Sequence, residues 1–227
     1  MLWGWRLISI RTDDVIAPSA TRKDLQIGRR IIHLVNGSAI ATAYALLFTH
    51  EQVIHIFGTI ACVVYILDRV RIHYPEALRR APWVNGVFFR AEEQFKESAM
   101  TPYAIAILLT ILTFPKVVAL IAIYTLAIAD PLSAVVGITW GRRHIVPDKS
   151  VEGSLAFFAA TVGIAFGALL ADTGAPIAEL LGTGFLIGLA GAVWEMLPIR
   201  IDDNLTIPLV VGFATWTACS VTGVPLG

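Results

Sequence analysis

Seven long apolar blocks, at 31–48, 53–67, 100–114, 117–140, 154–171, 177–197 and 205–224, divide most of the 227-residue chain between them. A bilayer core takes about 20 mostly apolar residues per helix, with a range of about 17–25. The expected fold is therefore all-α: a polytopic integral membrane protein with about seven transmembrane helices. The blocks at 53–67 and 100–114 are short and must borrow flanking residues to cross. Composition agrees, since 15% of residues are charged and 56% hydrophobic, with a mean hydropathy of +0.73. A soluble domain carries roughly a quarter charged residues, so a disordered chain or an ordinary water-soluble enzyme is not expected. The many Gly, Ala and Thr within the blocks suit helices that pack closely in lipid.

Charge is distributed unevenly. Sixteen of the seventeen Lys and Arg fall in the segment before the first block or in alternate connections, and Lys116 alone lies on the other side. By the positive-inside rule this puts the N-terminus in the cytoplasm. Formal net charge is zero, and no nucleic-acid partner is expected. Residues 1–28 form an N-terminal interfacial or cytoplasmic segment in which Trp3 and Trp5 beside Arg6 and Arg11 suit an anchor at the membrane surface. Arg6 interrupts the apolar run, and no small-residue cleavage site follows as in a signal peptide. Residues 29–227 read as one domain. Within it, 69–97 mixes Trp83, Phe88, Phe89 and Phe95 with charges, as an amphipathic stretch on the inner leaflet does, either a connector or a flap over a lipid opening. Cys62 and Cys219 lie in apolar blocks without metal-ligand spacing and read as buried thiols.

The polar chemistry gathers at one side. Asp130 stands inside the fourth block, where a carboxylate is expensive unless paired, metal-bound or wet. Pro131 follows it and is expected to break the local helix and free backbone carbonyls. Next comes GITWGRRHIVPDKSVEGS, 137–154. Its cations are Arg142, Arg143 and Lys149, and Ser150, Glu152 and Gly153 start the next helix. Glycines allow backbone approach and helix N-termini attract anions, so phosphate is the expected ligand. The other reading of Gly137 and Gly141 is close helix packing. The chain has no GxxxxGK[ST] phosphate loop.

A third cluster holds Glu195 and then PIRIDDNLTIP, 198–208. Asp202, Asp203 and Asn204 are hard oxygen donors of the kind Mg²⁺ takes when it bridges nucleotide phosphates. They also fit an Asx turn in which Asn204 caps the last helix while the aspartates bind metal. Arg30 and His33 share a face of the first helix and are candidates for a substrate or a phosphate, although a lone His there is more often a packing residue.

Three ordered pieces, ADPLSAVVGITWGRR, DKSVEGSLAFF and WEMLPIRIDDNLTIPL, resemble the CTP-dependent lipid-alcohol kinases: dolichol, phytol and fungal-type diacylglycerol kinases. RRIIHLVNG and FFRAEE resemble that family's N-terminal half less specifically. The resemblance covers about residues 28–212. It implies transfer of the γ-phosphate of CTP to a membrane lipid hydroxyl with Mg²⁺ or another divalent cation. Asp130, Gly137 and Gly141 match the first motif. Lys149, Ser150, Glu152 and Gly153 match the second, and Glu195, Asp202, Asp203, Asn204 and Pro208 the third. On this reading Arg142, Arg143 and Lys149 hold the triphosphate and Asp202, Asp203 and Asn204 the metal. Asp130 or Glu195 serves the hydroxyl or completes the metal shell. An isoprenoid alcohol is the favoured substrate, with diacylglycerol beside it. The site faces the cytoplasm from a cell membrane in a prokaryote or an organelle membrane in a eukaryote. Two alternatives stand: a CDP-diacylglycerol synthase-type cytidylyltransferase, and an ion-coupled transporter using Asp130 and Glu195.

Overall fold

The computed structural model describes residues 22–74, 76, 100–146, 149–198 and 201–226. The N-terminal anchor, the FFRAEE stretch and most of segment 69–97 lie outside the described residues. Every apolar block is helical: α1 (Arg22–Leu46), α2 (His50–His73), α3 (Met100–Thr113), α4 (Lys116–Trp140), α5 (Val151–Asp172), α6 (Ile177–Met196) and α7 (Asp203–Thr222). Among them α2, α4, α5, α6 and α7 are each long and apolar enough to cross a membrane. The chain is thus a helical membrane protein with five candidate spans among the described residues. α2 extends its block at both ends, as a short block must. α3 has a described length of 14 residues, about 21 Å at 1.5 Å per residue, and α1 carries Arg22, Lys23, Asp24, Arg29 and Arg30 in its first turns.

Local chemistry explains the helix ends. Thr49 and Gln52 form a reciprocal capping box at the start of α2, which satisfies two otherwise orphaned backbone donors. Pro115 and Pro176 precede α4 and α6, where a missing N–H costs nothing. Gly223, at φ 76°, takes the left-handed conformation that closes α7 and that a side chain disfavours.

One departure from an all-α fold is a small antiparallel hairpin between α4 and α5, β1 (His144–Val146) with β2 (Lys149–Ser150). Its physical cause is local: Ile145 and Val146 are β-branched, and Val146 precedes Pro147, which disfavours the helical region for the residue before it.

The helices alternate in direction. Lys116, at the start of α4, donates to the carbonyls of Ala45 and Phe48 at 3.2 Å each, so α4 begins where α1 ends. The near end of the bundle therefore collects the start of α1, the ends of α2, α4 and α6, and the starts of α3, α5 and α7. The cation that was expected to mark the far side is occupied there in capping α1, satisfying carbonyls a helix terminus leaves open.

α4 is the most buried of the five candidate spans, and Ile121, Ala122, Ile123, Leu126, Ala127 and Ala129 are closed from solvent and lipid. Small residues set the spacing around it. A Cβ on Gly37 of α1 would lie 2.6 Å from the Cβ of Ala127 and 3.0 Å from the Tyr103 hydroxyl, so glycine lets α1 press against α4. Leu155, Phe185, Leu189 and Phe213 point outward, as they would toward acyl chains. With lipid as apolar as leucine, such a bundle is held by packing and internal polar contacts rather than by exclusion of apolar groups from water.

Candidate active site at the near end of the bundle

The centre of the polar end is Lys149, on the second strand of the hairpin. Its ammonium donates to Glu195 Oε1 at 2.9 Å and to Asp203 Oδ2 at 3.1 Å. The three residues come from β2, the end of α6 and the start of α7, so the short strand bridges two helix termini. The two carboxylates differ in surroundings. Glu195 is 4% exposed and Asp203 47%. The second oxygen of Glu195 accepts from Ser154 Oγ at 2.9 Å in a buried bond, so both oxygens of this carboxylate are engaged. Burial alone would pull the Lys149 ammonium below its ordinary pKa; the charges and hydrogen bonds of Glu195 and Asp203 outweigh it and hold the group above that value.

Asp130 belongs to the same cluster, within electrostatic reach of Arg30, Asp203, Lys149 and Glu195. Its carboxylate makes no hydrogen bond or ion pair among the described residues. The expected break at Pro131 takes a different form. α4 continues through the proline, and the disturbance lies one turn earlier in a π-helical turn, Thr125–Ala129. There the Asp130 N–H reaches back five residues to the Thr125 carbonyl, a shift in the ladder of the kind common at functional sites. Ser133 Oγ donates to the Asp130 carbonyl at 2.9 Å.

The glycine-rich loop is organised by packing. A Cβ on Gly137 would lie 3.0 Å from Ser150 Oγ, one on Gly141 would meet Ser150 Cβ and Oγ at 2.9 Å, and one on Gly153 would meet the Ser133 carbonyl at 2.7 Å. All three glycines thus seat the end of α4 against the start of α5. Ser150 caps α5 by accepting from Gly153 N–H at 3.1 Å. Glu152 Oε2 accepts from the backbone N–H groups of Arg142 (3.1 Å) and Arg143 (3.4 Å). The backbone donors that could have met a phosphate are engaged inside the loop, and the exposed Arg142 and Arg143 side chains are what it offers an anion.

The triplet Asp202, Asp203 and Asn204 separates into two roles. Asp202 Oδ1 accepts from Asn204 N–H at 2.9 Å and is the N-cap of α7, so Asp202 rather than Asn204 is the capping residue. Asp203, one position on, turns to Lys149. Among the described residues no three His, Cys, Asp or Glu side chains converge on a point as a protein-only metal cage requires. A nucleotide-borne Mg²⁺ needs only one or two carboxylates, with phosphate and water completing the shell. Half-exposed Asp203 and unbonded Asp130 fit that demand.

Arg30 is near Asp130, while the His33 ring stands edge-on to Tyr103 at 4.9 Å between centroids. Two groups went unnoticed in the sequence. Ser154 is one turn into α5 at Ser150 plus four, a spacing that puts both serines on one face. Asp68, fully buried at the near end of α2, pairs with Arg71 and accepts from Thr101 Oγ1 at 3.1 Å, tying α2 to α3.

Over 196 residues, 83% of its length, the chain is 28% identical to an uncharacterized protein of Methanocaldococcus jannaschii, covering 91% of that protein. It is 30% identical over 99 residues to the CTP-dependent diacylglycerol kinase 1 of Eremothecium gossypii, across 42% of this chain and 31% of the kinase. It is 25% identical over 143 residues to the CTP-dependent diacylglycerol kinase 1 of Saccharomyces cerevisiae, across 61% of this chain and 48% of the kinase. The chain therefore spans about a third to a half of the two kinases it matches. No family profile and no solved structure matches it. The distant similarity to the two fungal kinases supports a CTP-dependent lipid kinase family, and with the apolar helices it supports an integral membrane protein.

Proposed function

We propose that this chain is a membrane-embedded kinase that transfers the γ-phosphate of CTP to the hydroxyl of a lipid alcohol. The observation that carries the reading is the convergence of Lys149, Glu195 and Asp203, with Asp130 in electrostatic reach. They come from three motifs far apart in the sequence and meet at one end of a lipid-facing bundle. Phosphoryl transfer asks a protein mainly for positioning and charge neutralisation, and a cation between carboxylates at a membrane surface supplies both. The names of the two fungal relatives bring CTP and diacylglycerol to the proposal. Isoprenoid alcohols remain beside diacylglycerol as acceptors on the strength of the motif resemblance.

In this mechanism Lys149 and the exposed Arg142 and Arg143 take the triphosphate, and Arg30 adds positive charge beside Asp130. Asp203 would hold Mg²⁺, which would supply charge neutralisation to the phosphate oxygens. Asp130 is the carboxylate available to the lipid: it orients the hydroxyl and accepts its proton as the new O–P bond forms and the bond to the leaving CDP breaks. Glu195, with both oxygens occupied, holds Lys149 instead. The proposal includes seven spans and a cytoplasmic N-terminus. Supporting it are the helical state of all seven blocks and the crowding of Lys and Arg at the near end.

Incubating the purified protein with CTP, Mg²⁺ and a panel of phytol, farnesol, a polyprenol and diacylglycerol tests this directly. CDP together with one phosphorylated alcohol is the expected result and identifies the acceptor. Pyrophosphate with a CDP-lipid formed from added phosphatidate would overturn it in favour of cytidylyl transfer. Neither product, from folded protein, would overturn enzyme readings altogether and favour transport.

A further inference from the structure

The two carboxylates that share Lys149 are not equivalent, and the difference points to what happens when a phosphate arrives. Glu195 is buried, its Oε2 fixed by the Ser154 hydroxyl and its Oε1 on Lys149. Asp203 is nearly half exposed, and its Oδ2 accepts from the same ammonium. An ion pair open to solvent is worth little and exchanges readily, whereas a buried and doubly bonded carboxylate is costly to strip of its partner. We infer that Lys149 is a shared cation: it stays seated on Glu195, which Ser154 orients, and gives up Asp203 to a phosphate oxygen of the incoming nucleotide. Ser154 and Glu195 are then positioning residues, acting through Lys149. Asp203 is the competing anion, which the phosphate displaces and which would then be free to serve a divalent cation.

This inference rests on the nucleotide reading above and adds the order of events within that site. It makes the two carboxylates act in opposite senses on one lysine. If they contributed only negative charge, neutralising either one would favour an anion. If Glu195 is the seat and Asp203 the competitor, neutralising Asp203 helps a phosphate bind and neutralising Glu195 hinders it.

The test is binding of CTP, and in parallel of inorganic tripolyphosphate, to the full-length protein in detergent with excess chelator. Asp203→Asn is expected to tighten binding about two- to fivefold, the scale of an exposed ion pair. Ser154→Ala, which leaves every charge in place, is expected to weaken it about two- to tenfold, the scale of one hydrogen bond. Glu195→Gln is expected to change affinity in the same direction as Ser154→Ala; should that variant fail to fold, Ser154→Ala carries the comparison alone. Asp203→Asn weakening binding, or all variants shifting affinity in one direction, overturns the exchange while leaving the nucleotide reading standing. The opposed signs appearing with tripolyphosphate, from wild type that shows no binding of CTP, would uphold the exchange and remove CTP. Binding of neither ligand to folded wild type overturns both.

Discussion

The ammonium of Lys149 lies 2.9 Å from Oε1 of Glu195, 46 residues further along the chain, and the same carboxylate accepts a hydrogen bond from the Ser154 hydroxyl on its other oxygen. This pairing joins the hairpin to the end of α6 and makes Lys149 the most consequential side chain at the near end. Lys149→Ala is expected to lower phosphoryl transfer about 10²–10³-fold, the usual cost of removing one preorganised electrostatic donor. Membrane insertion should be unchanged, because the apolar spans remain. Turnover assayed beside membrane fractionation checks both, and loss of insertion would assign the lysine a topological role.

The pH dependence of this contact follows from its sign. The Lys149 ammonium is held above the ordinary lysine value of 10.5, so the stability it contributes is complete below that value. It is lost only as pH rises through the still higher value of the folded protein. The difference in melting temperature between wild type and Lys149→Met should therefore persist through the neutral range to about pH 9 and shrink only in stronger alkali. A difference that collapsed in the neutral range would mean that Glu195 and Asp203 do not hold the charge.

Packing at the loop glycines predicts a clear contrast. A Cβ at Gly141 would fall on the Gly137 carbonyl and within 2.9 Å of Ser150, so Gly141→Ala should cost about 1–3 kcal/mol through overpacking. Nothing lies within 4 Å of a Cβ at Gly163 of α5. There the alanine should be neutral or stabilise by up to about 1 kcal/mol through helix propensity. Thermal melting in detergent separates the two.

Glu152 carries a prediction about order in the loop. Its carboxylate receives the N–H groups of Arg142 and Arg143, so Glu152→Ala should speed hydrogen exchange at those two amides. Exchange across α6 should not change. Unchanged rates at both arginines would show that the hairpin holds its shape without this contact.

Away from the site, Asp68→Ala should destabilise the bundle by about 3–5 kcal/mol, the scale for removing one partner of a buried ion pair. Arg71 is only 6% exposed and Thr101 would lose its acceptor. Unfolding by a denaturing detergent, compared with wild type, measures the loss.

Much of this arrangement is legible in the amino-acid sequence. The apolar blocks become helices because in lipid the pattern is length and composition, which a sequence displays directly. Asp130, Lys149, Glu195 and Asp203, singled out from separate motifs, meet at one end of the bundle. What escaped was direction. Asp202 and Asp203 are adjacent and chemically alike, and only the point where α7 begins decides that one caps the helix while the other turns to Lys149. The glycines suit a phosphate or a neighbouring helix equally well in the sequence, and the close fit of Ser150 and Ser133 against them shows only in three dimensions. Ser154 was missed because a lone serine in an apolar helix has no pattern; its importance comes from Glu195, 41 residues away.

The π turn before Asp130 has a consequence for how this site tolerates change. The wide turn between Thr125 and Ala129 takes up one residue more than an ordinary turn, so the residues downstream face nearly as they would on a regular helix one residue shorter. Deleting a single residue there would restore ordinary winding and leave Asp130 facing nearly as before, whereas the same deletion in the regular turns before it would swing Asp130 about 100° around the axis. The aim of the carboxylate is thus set by a count of residues as much as by their identity. The wide turn can absorb the loss of one codon, and an indel in the regular helix before it would redirect the carboxylate without touching any residue of the site.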